Sequence, residues 1–417
     1  MSDLAFAPLA RFADVVMGQS PGADLCNTEE RGLPFLQGCA EFGALHPHSD
    51  VYCSPPLRVA KAGSVLISVR APVGTMNYAD QNYCIGRGLG AFMAKPGVSS
   101  TVFLKHAVEL NSAYLHRRSQ GSTFAAVSTD DVKTVPIPVF KPEKQEKIAS
   151  ILSGIDTAIE KAEALIAKYQ QIKAGLMHDL LTRGVLPNGQ LRPPREQAPE
   201  LYQETAIGWI PKDWDAKTLR TACDWYSGGT PSKRNEEWWK GTLPWLSPKD
   251  MKHFELADTE DHVTREAAIF GSRIAPKGSV FIVVRGMILA HSFPVVVNSA
   301  EFSFNQDVKA VIGRAPLMNR YLAYWFVANT DLFLKKTTES THGTKRFDLN
   351  DLYKIDIGVP AESEQLRVIA RLDVIEGRIK TEILRSDKLK KQKSGLMHDL
   401  LTGKVHVKVE DPEAGNG

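Results

Sequence analysis

The sequence predicts two tandem copies of a mixed α+β or α/β domain, each followed by a long helix. Three observations support this prediction: an eight-residue sequence that occurs twice, short apolar runs between glycines and prolines, and apolar residues at heptad spacing. Gly-Leu-Met-His-Asp-Leu-Leu-Thr occupies residues 175–182 and again residues 395–402. Eight consecutive identities in a chain of 417 residues indicate an internal duplication at an offset of 220 residues.

The duplication extends into the segments that precede the two helices. Matching motifs lie 210 to 215 residues apart, and they are Gly18-Gln19-Ser20-Pro21 with Gly228-Gly229-Thr230-Pro231, Pro34-Phe35-Leu36 with Pro244-Trp245-Leu246, and Gly63-Ser64-Val65 with Gly278-Ser279-Val280. Solenoid repeats have periods of roughly 20–50 residues, so this repeat is a whole domain with its helix. Apolar runs such as 64–69 and 279–284 predict that the domains are rich in β-strands.

The two helical segments carry an apolar stripe. In the first copy its residues are separated by alternating steps of four and three, as in a coiled-coil seam, and they are Ile148, Leu152, Ile155, Ile159, Ala162, Ile166 and Tyr169. In the second copy Glu382 and Ser386 interrupt the stripe, and the adjacent Ile383 and Leu384 predict that it moves to another face. We expect the helices to pair as an antiparallel coiled coil with pseudo-two-fold symmetry. The alternative is that each helix packs on its own domain.

Prolines and a polar stretch mark the boundaries between these segments. Pro136, Pro138 and Pro142 precede the first helix, and Pro360 precedes the second. A polar segment rich in proline and glycine follows the first helix and predicts a linker. The predicted division is a first domain at 1–135, a central helix at 136–183, a linker at 184–208, a second domain at 209–355, a C-terminal helix at 356–403 and a tail at 404–417.

Composition excludes several classes of protein. Apolar residues make up 43% of the chain and charged residues 24%, which is typical of globular proteins. The net charge of +3 excludes a histone-like polycation. The five cysteines form no CxxC pair, so they predict reduced thiols and neither a disulfide framework nor a zinc site. No secretory signal and no apolar stretch of membrane-spanning length is present, and we expect a cytoplasmic protein.

Motifs for common catalytic and cofactor chemistry are missing. The sequence has no GxxxxGK[ST] motif for ATP or GTP. The glycines of 86–90 fail the GxGxxG spacing, and the equivalent segment at 305–308 has none, although an enzyme that uses this loop remains an alternative hypothesis. Ser54-Pro55-Pro56-Leu57 lacks the polar and aromatic residues of a methyltransferase loop. His178 and His398 occupy equivalent positions, but neither lies in a metal-binding motif, so we expect no metal site.

The motifs of the two copies also carry a family resemblance. The first copy has Gly18-Gln19-Ser20-Pro21, Pro34-Phe35-Leu36-Gln37-Gly38, Ser68-Val69-Arg70-Ala71-Pro72-Val73-Gly74 and Ile85-Gly86-Arg87-Gly88-Leu89. The second has Gly229-Thr230-Pro231-Ser232, Pro244-Trp245-Leu246-Ser247-Pro248-Lys249-Asp250-Met251, Val284-Arg285-Gly286-Met287 and Phe304-Asn305-Gln306-Asp307-Val308. With the opening segment 208–214 and the repeated 175–182, these motifs resemble the specificity subunit of type I restriction-modification enzymes over almost the whole chain.

The resemblance implies a non-catalytic subunit that recognises double-stranded DNA. Each globular domain would be a target-recognition domain that reads one half of a bipartite, asymmetric site. The helices would set the gap between the halves and bind two adenine-methyltransferase subunits. S-adenosylmethionine, ATP and magnesium would belong to those subunits and to restriction (translocase) subunits, with no cofactor on this chain. The alternatives are a coiled-coil scaffold and the specificity subunit of a methylation-only system.

Candidate DNA contacts are polar or basic residues on the glycine-rich loops, because base edges and phosphates are bound by hydrogen-bonding and cationic side chains. In the first domain they are Gln19, Ser20, Gln37, Arg70, Asn77, Arg117 and Arg118. In the second they are Thr230, Ser232, Lys233, Arg234, Lys249, Lys252, Arg285, His291, Lys345 and Arg346. Residues 1–135 contain 11 Lys+Arg and 11 Asp+Glu, which predicts weak DNA binding by this domain alone.

Candidate partner contacts come from the repeated helix sequence. It is invariant between the copies although the domains diverge, and two identical surfaces suit two identical partners. These candidates are Leu176, Met177, Leu180, Leu181, Leu396, Met397, Leu400 and Leu401. The alternative is that these residues pack within the chain.

Overall fold

A computed structural model describes residues 4–119, 126–205, 207–339 and 344–408. The chain divides into two compact units. Unit 1 comprises Met1–Ile166 and Glu382–Gly417, and unit 2 comprises Ala167–Thr381. Because each long helix crosses a boundary between the units, its two halves belong to different units.

Unit 1 contains two main β-sheets and a set of helices. Its strands are β1 (Phe6–Pro8), β2 (Ala13–Met17), β3 (Cys26–Asn27), β4 (Leu33–Leu36), β5 (Tyr52–Cys53), β6 (Val59–Ala60), β7 (Val65–Ser68), β8 (Met76–Tyr78), β9 (Tyr83–Ile85), β10 (Leu89–Ala94) and β11 (Pro136–Pro138). Its helices are α1 (Leu9–Phe12), α2 (Thr101–Leu110), α3 (Ser112–Ser119), α4 (Thr129–Lys133) and the first part of α5 (Pro142–Thr182). The sheets have the orders β2-β10-β7-β8 and β3-β5-β4-β9-β6, and β1 pairs with β11.

Strand β7 shows why the apolar run at 64–69 is continuous. Side chains of a strand alternate between the two faces of its sheet. Val65 and Ile67 lie in a core with Phe103 of α2, whereas Leu66 lies in a second core with Leu36. Helices cover one face and the second sheet covers the other, so every position of this strand is apolar or buried.

Unit 2 repeats this architecture. Its strands are β12 (Tyr202–Thr205), β13 (Gly208–Pro211), β14 (Asp215–Thr218), β15 (Cys223–Ser227), β16 (Leu243–Leu246), β17 (Glu255–Leu256), β18 (Asp261–Val263), β19 (Ile274–Ala275), β20 (Val280–Val283), β21 (Val295–Asn298), β22 (Phe302–Phe304), β23 (Val308–Gly313), β24 (Thr337–Glu339), β25 (Lys345–Phe347) and β26 (Asp356–Val359). Its helices are α6 (Leu219–Ala222), α7 (Arg265–Gly271), α8 (Asn319–Ala328), α9 (Thr330–Lys335), α10 (Leu349–Tyr353) and the first part of α11 (Glu362–Leu401).

The sheet orders confirm the duplication. The order β15-β23-β20-β21-β17 in unit 2 corresponds to β2-β10-β7-β8 in unit 1, with β17 added at one edge. The order β18-β16-β22-β19 corresponds to β5-β4-β9-β6, and the central pair is parallel in both units. Strand β14 pairs with β26 as β1 pairs with β11. The prediction of two mixed α and β domains, each followed by a long helix, is therefore confirmed.

Within each unit the two helix segments run antiparallel. In unit 1, Lys393 binds Asp156 at 2.9 Å and Lys390 binds Glu163 at 2.7 Å. In unit 2, Lys173 forms an ion pair with Glu376. Lys173 and Lys393 differ by the repeat offset, as do Asp156 and Glu376. The duplication has thus preserved one ion pair between the helices in both units.

A buried glutamine at the start of each long helix is also duplicated. In unit 1, the Nε2 of Gln145 donates to the carbonyl of Phe140 at 2.8 Å, and its Oε1 accepts from Ser99 at 2.6 Å. In unit 2, the Nε2 of Gln365 donates to the carbonyl of Pro360 at 2.8 Å, and its Oε1 accepts from the amide of Met318 at 2.8 Å. Because both ends of each amide are bonded, the glutamine fixes the start of the helix on its domain.

The seam of α11 differs from the sequence expectation. Ser386 is buried and Glu382 is half-buried, whereas Ile383 and Leu384 are exposed. The prediction that the stripe moves to another face is therefore wrong. The heptad register established by Leu372, which lies in unit 2, continues through the polar positions, because a shift would rotate the helix away from its packed neighbours.

The predicted linker is fixed to unit 2 by a buried ion pair. Arg192 forms a two-pronged interaction with Glu364, and both side chains are almost fully buried. The carboxylate of Glu364 also accepts from the amide of Val185 at 2.8 Å and from the indole of Trp214 at 3.2 Å. A buried carboxylate needs this full set of donors because its desolvation is costly.

Two strands lie at the predicted domain boundaries. Strand β11 begins at Pro136 and β26 begins at Asp356, directly after the expected ends of the domains at 135 and 355. Since β11 pairs with β1 and β26 with β14, a cut at either boundary would separate paired strands. Among the described residues, no helix is both long and apolar enough to cross a membrane.

We expect the substitution Glu364→Gln to lower the stability of unit 2 by about 3 kcal/mol, because the buried guanidinium of Arg192 then keeps only the exposed carboxylate of Asp213 as a counter-charge. The measurement is the midpoint of thermal unfolding. Glu362→Gln, at an exposed position at the start of the same helix, is the matched control. Equal midpoints for the two variants would contradict the assigned role of Glu364.

Candidate nucleic-acid interface

Four loops of unit 1 meet at one end of its two main sheets. They follow β2, β4, β7 and β9, and we call residues 18–20, 37–38, 68–74 and 86–88 the first loop edge. The amide of Gln19 donates to the carbonyl of Ile85 at 2.9 Å, and the Nε2 of Gln37 donates to the Oγ of Ser20 at 3.1 Å. Three of the predicted DNA contacts are thereby brought together: Gln19, Ser20 and Gln37.

Glycines allow these loops to approach each other closely. A Cβ on Gly18 would lie 2.1 Å from the carbonyl oxygen of Gly86, and one on Gly88 would lie 2.5 Å from that of Gln37. Both distances are far below van der Waals contact. The glycines of 86–90 are needed for backbone contact with the neighbouring loop, which is an alternative to a phosphate-binding role.

Arg70 lies at the same edge with an exposed side chain. Its backbone is fixed in two ways. The carbonyl of Arg70 accepts a hydrogen bond from the Oγ of Ser68 at 2.6 Å, and Arg70 forms an isolated antiparallel β-bridge with Ala126. The side chain has no ion-pair partner among the described residues. An anchored backbone with a free guanidinium suits binding to a phosphate or a base edge.

Loops of unit 2 that are equivalent to three of those in the first loop edge form a second loop edge together with part of β25, and the edge comprises residues 228–234, 284–291, 304–307 and 345–346. The amide of Gly229 donates to the carbonyl of Phe304 at 2.9 Å, and the Oγ1 of Thr230 donates to the Oε1 of Gln306 at 2.6 Å. The amide of Gly286 donates to the carbonyl of Lys345 at 2.9 Å. Strands β24 and β25 thus attach to this edge and bring Lys345 and Arg346 beside Arg285.

Several predicted cations are paired within the chain. Arg285 binds Asp307 at 2.6 Å and Lys345 binds Glu339 at 2.8 Å. Lys249 binds both Glu260 and Asp261, at 2.8 and 2.9 Å. The hydrogen bonds that Lys249 donates to these two carboxylates raise its pKa, first that to Glu260 and then that to Asp261.

Arg118 is paired on a different part of unit 1. It binds Asp131 at 3.0 Å and its guanidinium carbon lies 4.5 Å from the ring centre of Tyr114. The pKa of Asp131 is lowered, first by the hydrogen bonds from Ser128 and then by Arg118. Arg117 is exposed on the same helix, α3, and the contacts of the described residues do not bring either arginine to the first loop edge.

The remaining predicted residues of unit 2 are exposed. Lys233 lies 5.8 Å from the ring centre of Trp239, which is a cation–π contact. Ser232, Arg234, Lys252, His291 and Arg346 are also exposed. Among the described residues, no ion pair forms with Lys233, Arg234, Lys252 or Arg346. These side chains are free to meet an anion.

Asn77 is the predicted contact that the structure contradicts. Its side chain is 5% exposed, and its Nδ2 donates to the carbonyl of Gly43 at 2.7 Å. Its Oδ1 accepts from the amide of Tyr78. An enclosed amide with its bonds satisfied holds a loop in place and does not reach DNA. The prediction that Asn77 contacts DNA is therefore wrong.

The structure adds residues that sequence reasoning did not select. Arg87 is exposed on the first loop edge, where its amide donates to the Oγ of Ser20 at 3.3 Å. Gln306 binds Thr230, as described above. Arg273 lies beside the second edge, 5.1 Å from the ring centre of Tyr226. Lys309 donates to Ser227, and burial lowers its pKa. Arg87 and Gln306 lie inside the motifs that carry the family resemblance, so their positions in those motifs could have identified them as candidate contacts.

The predicted partner surface is built into the cores instead. Met177, Leu180 and Leu181 are buried in the core of unit 2, and Leu176 packs against it. Met397, Leu400 and Leu401 are buried in the core of unit 1, and Leu396 packs against it. The expectation of an exposed surface is corrected to packing within the chain, because apolar side chains at the ends of both helices complete these cores.

His178 and His398 are exposed at equivalent positions on their helices. Each backbone carbonyl accepts a bond from a threonine hydroxyl four residues later, at 2.7 Å and 2.5 Å. In the described parts of the chain, no three His, Cys, Asp or Glu side chains are grouped as metal ligands would be.

Comparison with known families identifies the family of the chain. The model of the family described as "Type I restriction modification DNA specificity domain" matches residues 57–168 and 211–391, one region in each copy. The chain belongs to this family. The two matches follow the duplication and include motifs of both loop edges, so the specificity-domain family accounts for both copies.

Related sequences agree with the family. The chain is 35% identical over 172 residues to the sequence described as the MjaX specificity subunit of a type I restriction enzyme from Methanocaldococcus jannaschii. It is 28% identical over 280 residues to the EcoR124I/EcoR124II specificity subunit from Escherichia coli. These matches cover 41% and 66% of the chain, and 40% and 64% of the relatives. The chain therefore matches less than two thirds of the length of either relative.

Solved structures show the same fold. One neighbour is the S subunit of a type I restriction-modification system from M. genitalium, with a TM-score of 0.59, 13% identity, and coverage of 96% of this chain and 97% of that one. Another comes from a study of complex assembly and conformational transition of the type I system, with a TM-score of 0.53, 16% identity, and coverage of 97% and 99%. At these low sequence identities, the structural similarity shows a shared fold.

We expect Gly18→Ala to destabilise unit 1 by about 1–3 kcal/mol, because its Cβ would overlap the backbone of Gly86 and force the first loop edge apart. Gly38→Ala is the matched control at the same edge: nothing lies within 4 Å of its Cβ position, and its φ of −161° is ordinary extended backbone. Urea unfolding measures the difference, and equal stability of the two variants would show that close approach is not required.

Proposed function

We propose that this chain is the DNA-recognition subunit of a type I restriction-modification enzyme, and that each unit reads one half of a bipartite site. The observation that carries the proposal is the pair of loop edges. One scaffold topology presents the exposed Arg87 in unit 1, but the exposed Gln306 at the equivalent position of unit 2. Equivalent positions with different hydrogen-bonding side chains are suited to reading different base sequences.

The charges at the edges support a binding role with modest affinity. Free cations such as Arg70, Arg234 and Arg346 can neutralise phosphates. The ion pairs of Arg285, Lys249 and Lys345 reduce the positive potential that the sequence alone would suggest. We therefore infer that specificity comes from the loops, while partner subunits supply much of the non-specific affinity.

The proposed partners are two adenine-methyltransferase subunits and, in a restricting complex, translocase subunits. These would carry S-adenosylmethionine, ATP and magnesium, and this chain would be non-catalytic. Since the leucines and methionines of the repeated helix sequence lie in the cores, the methyltransferases would have to bind other, exposed residues. A methylation-only system would use the same chain without the translocase.

The decisive experiment exchanges one domain. Residues 1–138 are replaced by the corresponding domain of a relative that reads a different half-site, and methylated adenines are mapped in cells that also contain the methyltransferase. The cut follows Pro138 so that β1 keeps its pairing with β11. We expect one half of the methylated site to change while the other half and the gap stay the same.

The reciprocal exchange of residues 215–359 is the matched control, and it should change only the other half. An unchanged site after both exchanges would contradict DNA recognition and favour a scaffold. Changes in both halves after a single exchange would contradict the assignment of one half-site to each unit.

A second prediction concerns the helices as the determinant of the gap. The heptad 155–161 is unsuitable for deletion, because Asp156 binds Lys393 in unit 1. We delete Glu163–Tyr169 and the repeat-equivalent Ile383–Leu389 instead, which keeps the seam in phase and removes only the exposed ion pair of Glu163 with Lys390, whereas the pair of Asp156 with Lys393 is largely buried. Seven residues correspond to about 10 Å of helix, or about three base pairs. We expect both half-sites to persist with a gap shortened by about this amount.

Mapping of methylated adenines again measures the outcome. Deleting Glu163–Tyr169 alone is the control, since it puts the paired helices out of alignment and should abolish methylation. Methylation at the original gap by the doubly shortened chain would show that the helices do not determine the distance.

A further inference from the structure

Three apolar side chains of unit 2 are unusually exposed. Phe270 is 74% exposed, Ile269 65% and Met287 63%, which are the highest values among the large apolar residues described in this unit. Most large exposed apolar residues elsewhere in the unit are about half as exposed, as with Leu332 at 37%. Such side chains mark interaction sites when they are grouped.

All three belong to or adjoin the second loop edge. A Cβ on Gly271, the residue after Phe270, would lie 2.7 Å from the Cα of Pro231, so α7 ends directly against the 228–234 loop. The amide of Gly229 donates to the Oγ of Ser272 at 3.2 Å, and that hydroxyl donates to the carbonyl of Phe304 at 2.6 Å. Met287 follows Gly286, whose amide donates a hydrogen bond to the backbone carbonyl of Lys345 at the same edge.

The fold explains how α7 presents these residues. Ala267 and Ala268 are buried in a core with Trp245 and Val263. The helix begins at Arg265 after the N-cap Thr264, and the loop contact at Gly271 fixes its other end. Ile269 and Phe270 therefore stand on a rigid support with an exposed surface.

The charges around these residues identify the kind of partner. Lys233 and Arg234 follow Pro231, and Arg273 follows the end of α7. All three are exposed and form no ion pair among the described residues. Unpaired cations beside exposed apolar side chains suit a polyanion with apolar bases, which combines both properties.

We infer that Ile269, Phe270 and Met287 contact the bases of the half-site read by unit 2, as an apolar recognition element beside the hydrogen-bonding loops. This rests on the proposed function. The chemistry is that of apolar base atoms, either a thymine methyl group in the major groove or the face of a base at an opened step. Lys233, Arg234 and Arg273 bind the flanking phosphates.

The test uses the full chain assembled with its methyltransferase and a duplex that carries the site mapped by methylation. Phe270→Ala should weaken specific binding about tenfold, and the triple alanine variant more. The slope of log affinity against log salt should not change, because no phosphate contact is lost. Arg234→Ala should instead reduce that slope by about one. Leu201→Ala, 36% exposed in the linker, is the matched control and should change neither quantity.

Two arms distinguish the sources of the contact. Replacing each thymine of the half-site by uracil removes one methyl group; if the methyl is the contact, the substitution weakens wild-type binding but not binding by Phe270→Ala. If a base face is the contact, 2-aminopurine at the opened step brightens on wild-type binding and not with the variant. Either result supports the inference.

Unchanged specific binding by the triple variant would overturn the inference. So would a loss of methyltransferase assembly, or a change in the number of chains per complex, with DNA affinity intact, since the surface would then bind protein. These outcomes differ from failure of the proposed function, in which the wild-type complex itself would show no preference for the mapped site.

Discussion

The fold depends on the burial of each helix end in a globular core. Leu400 and Leu401 of α11 lie in the core of unit 1 with Leu152 of α5, and Leu180 and Leu181 of α5 lie in the core of unit 2 with Leu372 of α11. Each helix therefore begins in one unit and ends in the core of the other. This reciprocal packing explains why the leucines and the methionine of the eight-residue sequence are unchanged between the copies: both copies fill equivalent spaces, where even one methylene group affects packing.

The recognition surfaces have the opposite constraint. The glycines that bring the loops together are required by the backbone, but the side chains between them face solvent and are free to vary. Ser20 and Thr230 occupy equivalent positions and bind different partners, Gln37 and Gln306. A duplicated scaffold with independent loops can therefore hold two recognition chemistries without altering its cores.

Much of the architecture could be predicted from the sequence, because the duplication and the heptad spacing are local patterns. The sheet orders could not, since strands as short as β6 and β19 are determined by long-range pairing. Invariance of the helix ends predicts a partner surface, although identical core packing preserves sequence equally well. Asn77, in strand β8, shows a similar limit: the sequence gives no sign of whether the amide of a polar side chain is satisfied internally. Phe270 was missed because an exposed apolar residue looks like a core residue until its surroundings are known.

The reciprocal packing has a consequence for the order in which the chain can fold during synthesis. The core of unit 1 includes residues near 150 and near 400, so the ribosome has made almost all of the described chain before this core can close. Unit 2 is contiguous, from Ala167 to Thr381, and its segments emerge together. The second domain can therefore fold first, while the first waits with an open apolar groove for the end of α11. Such long-range closure is slow and leaves apolar surface exposed to aggregation or chaperones in the interval.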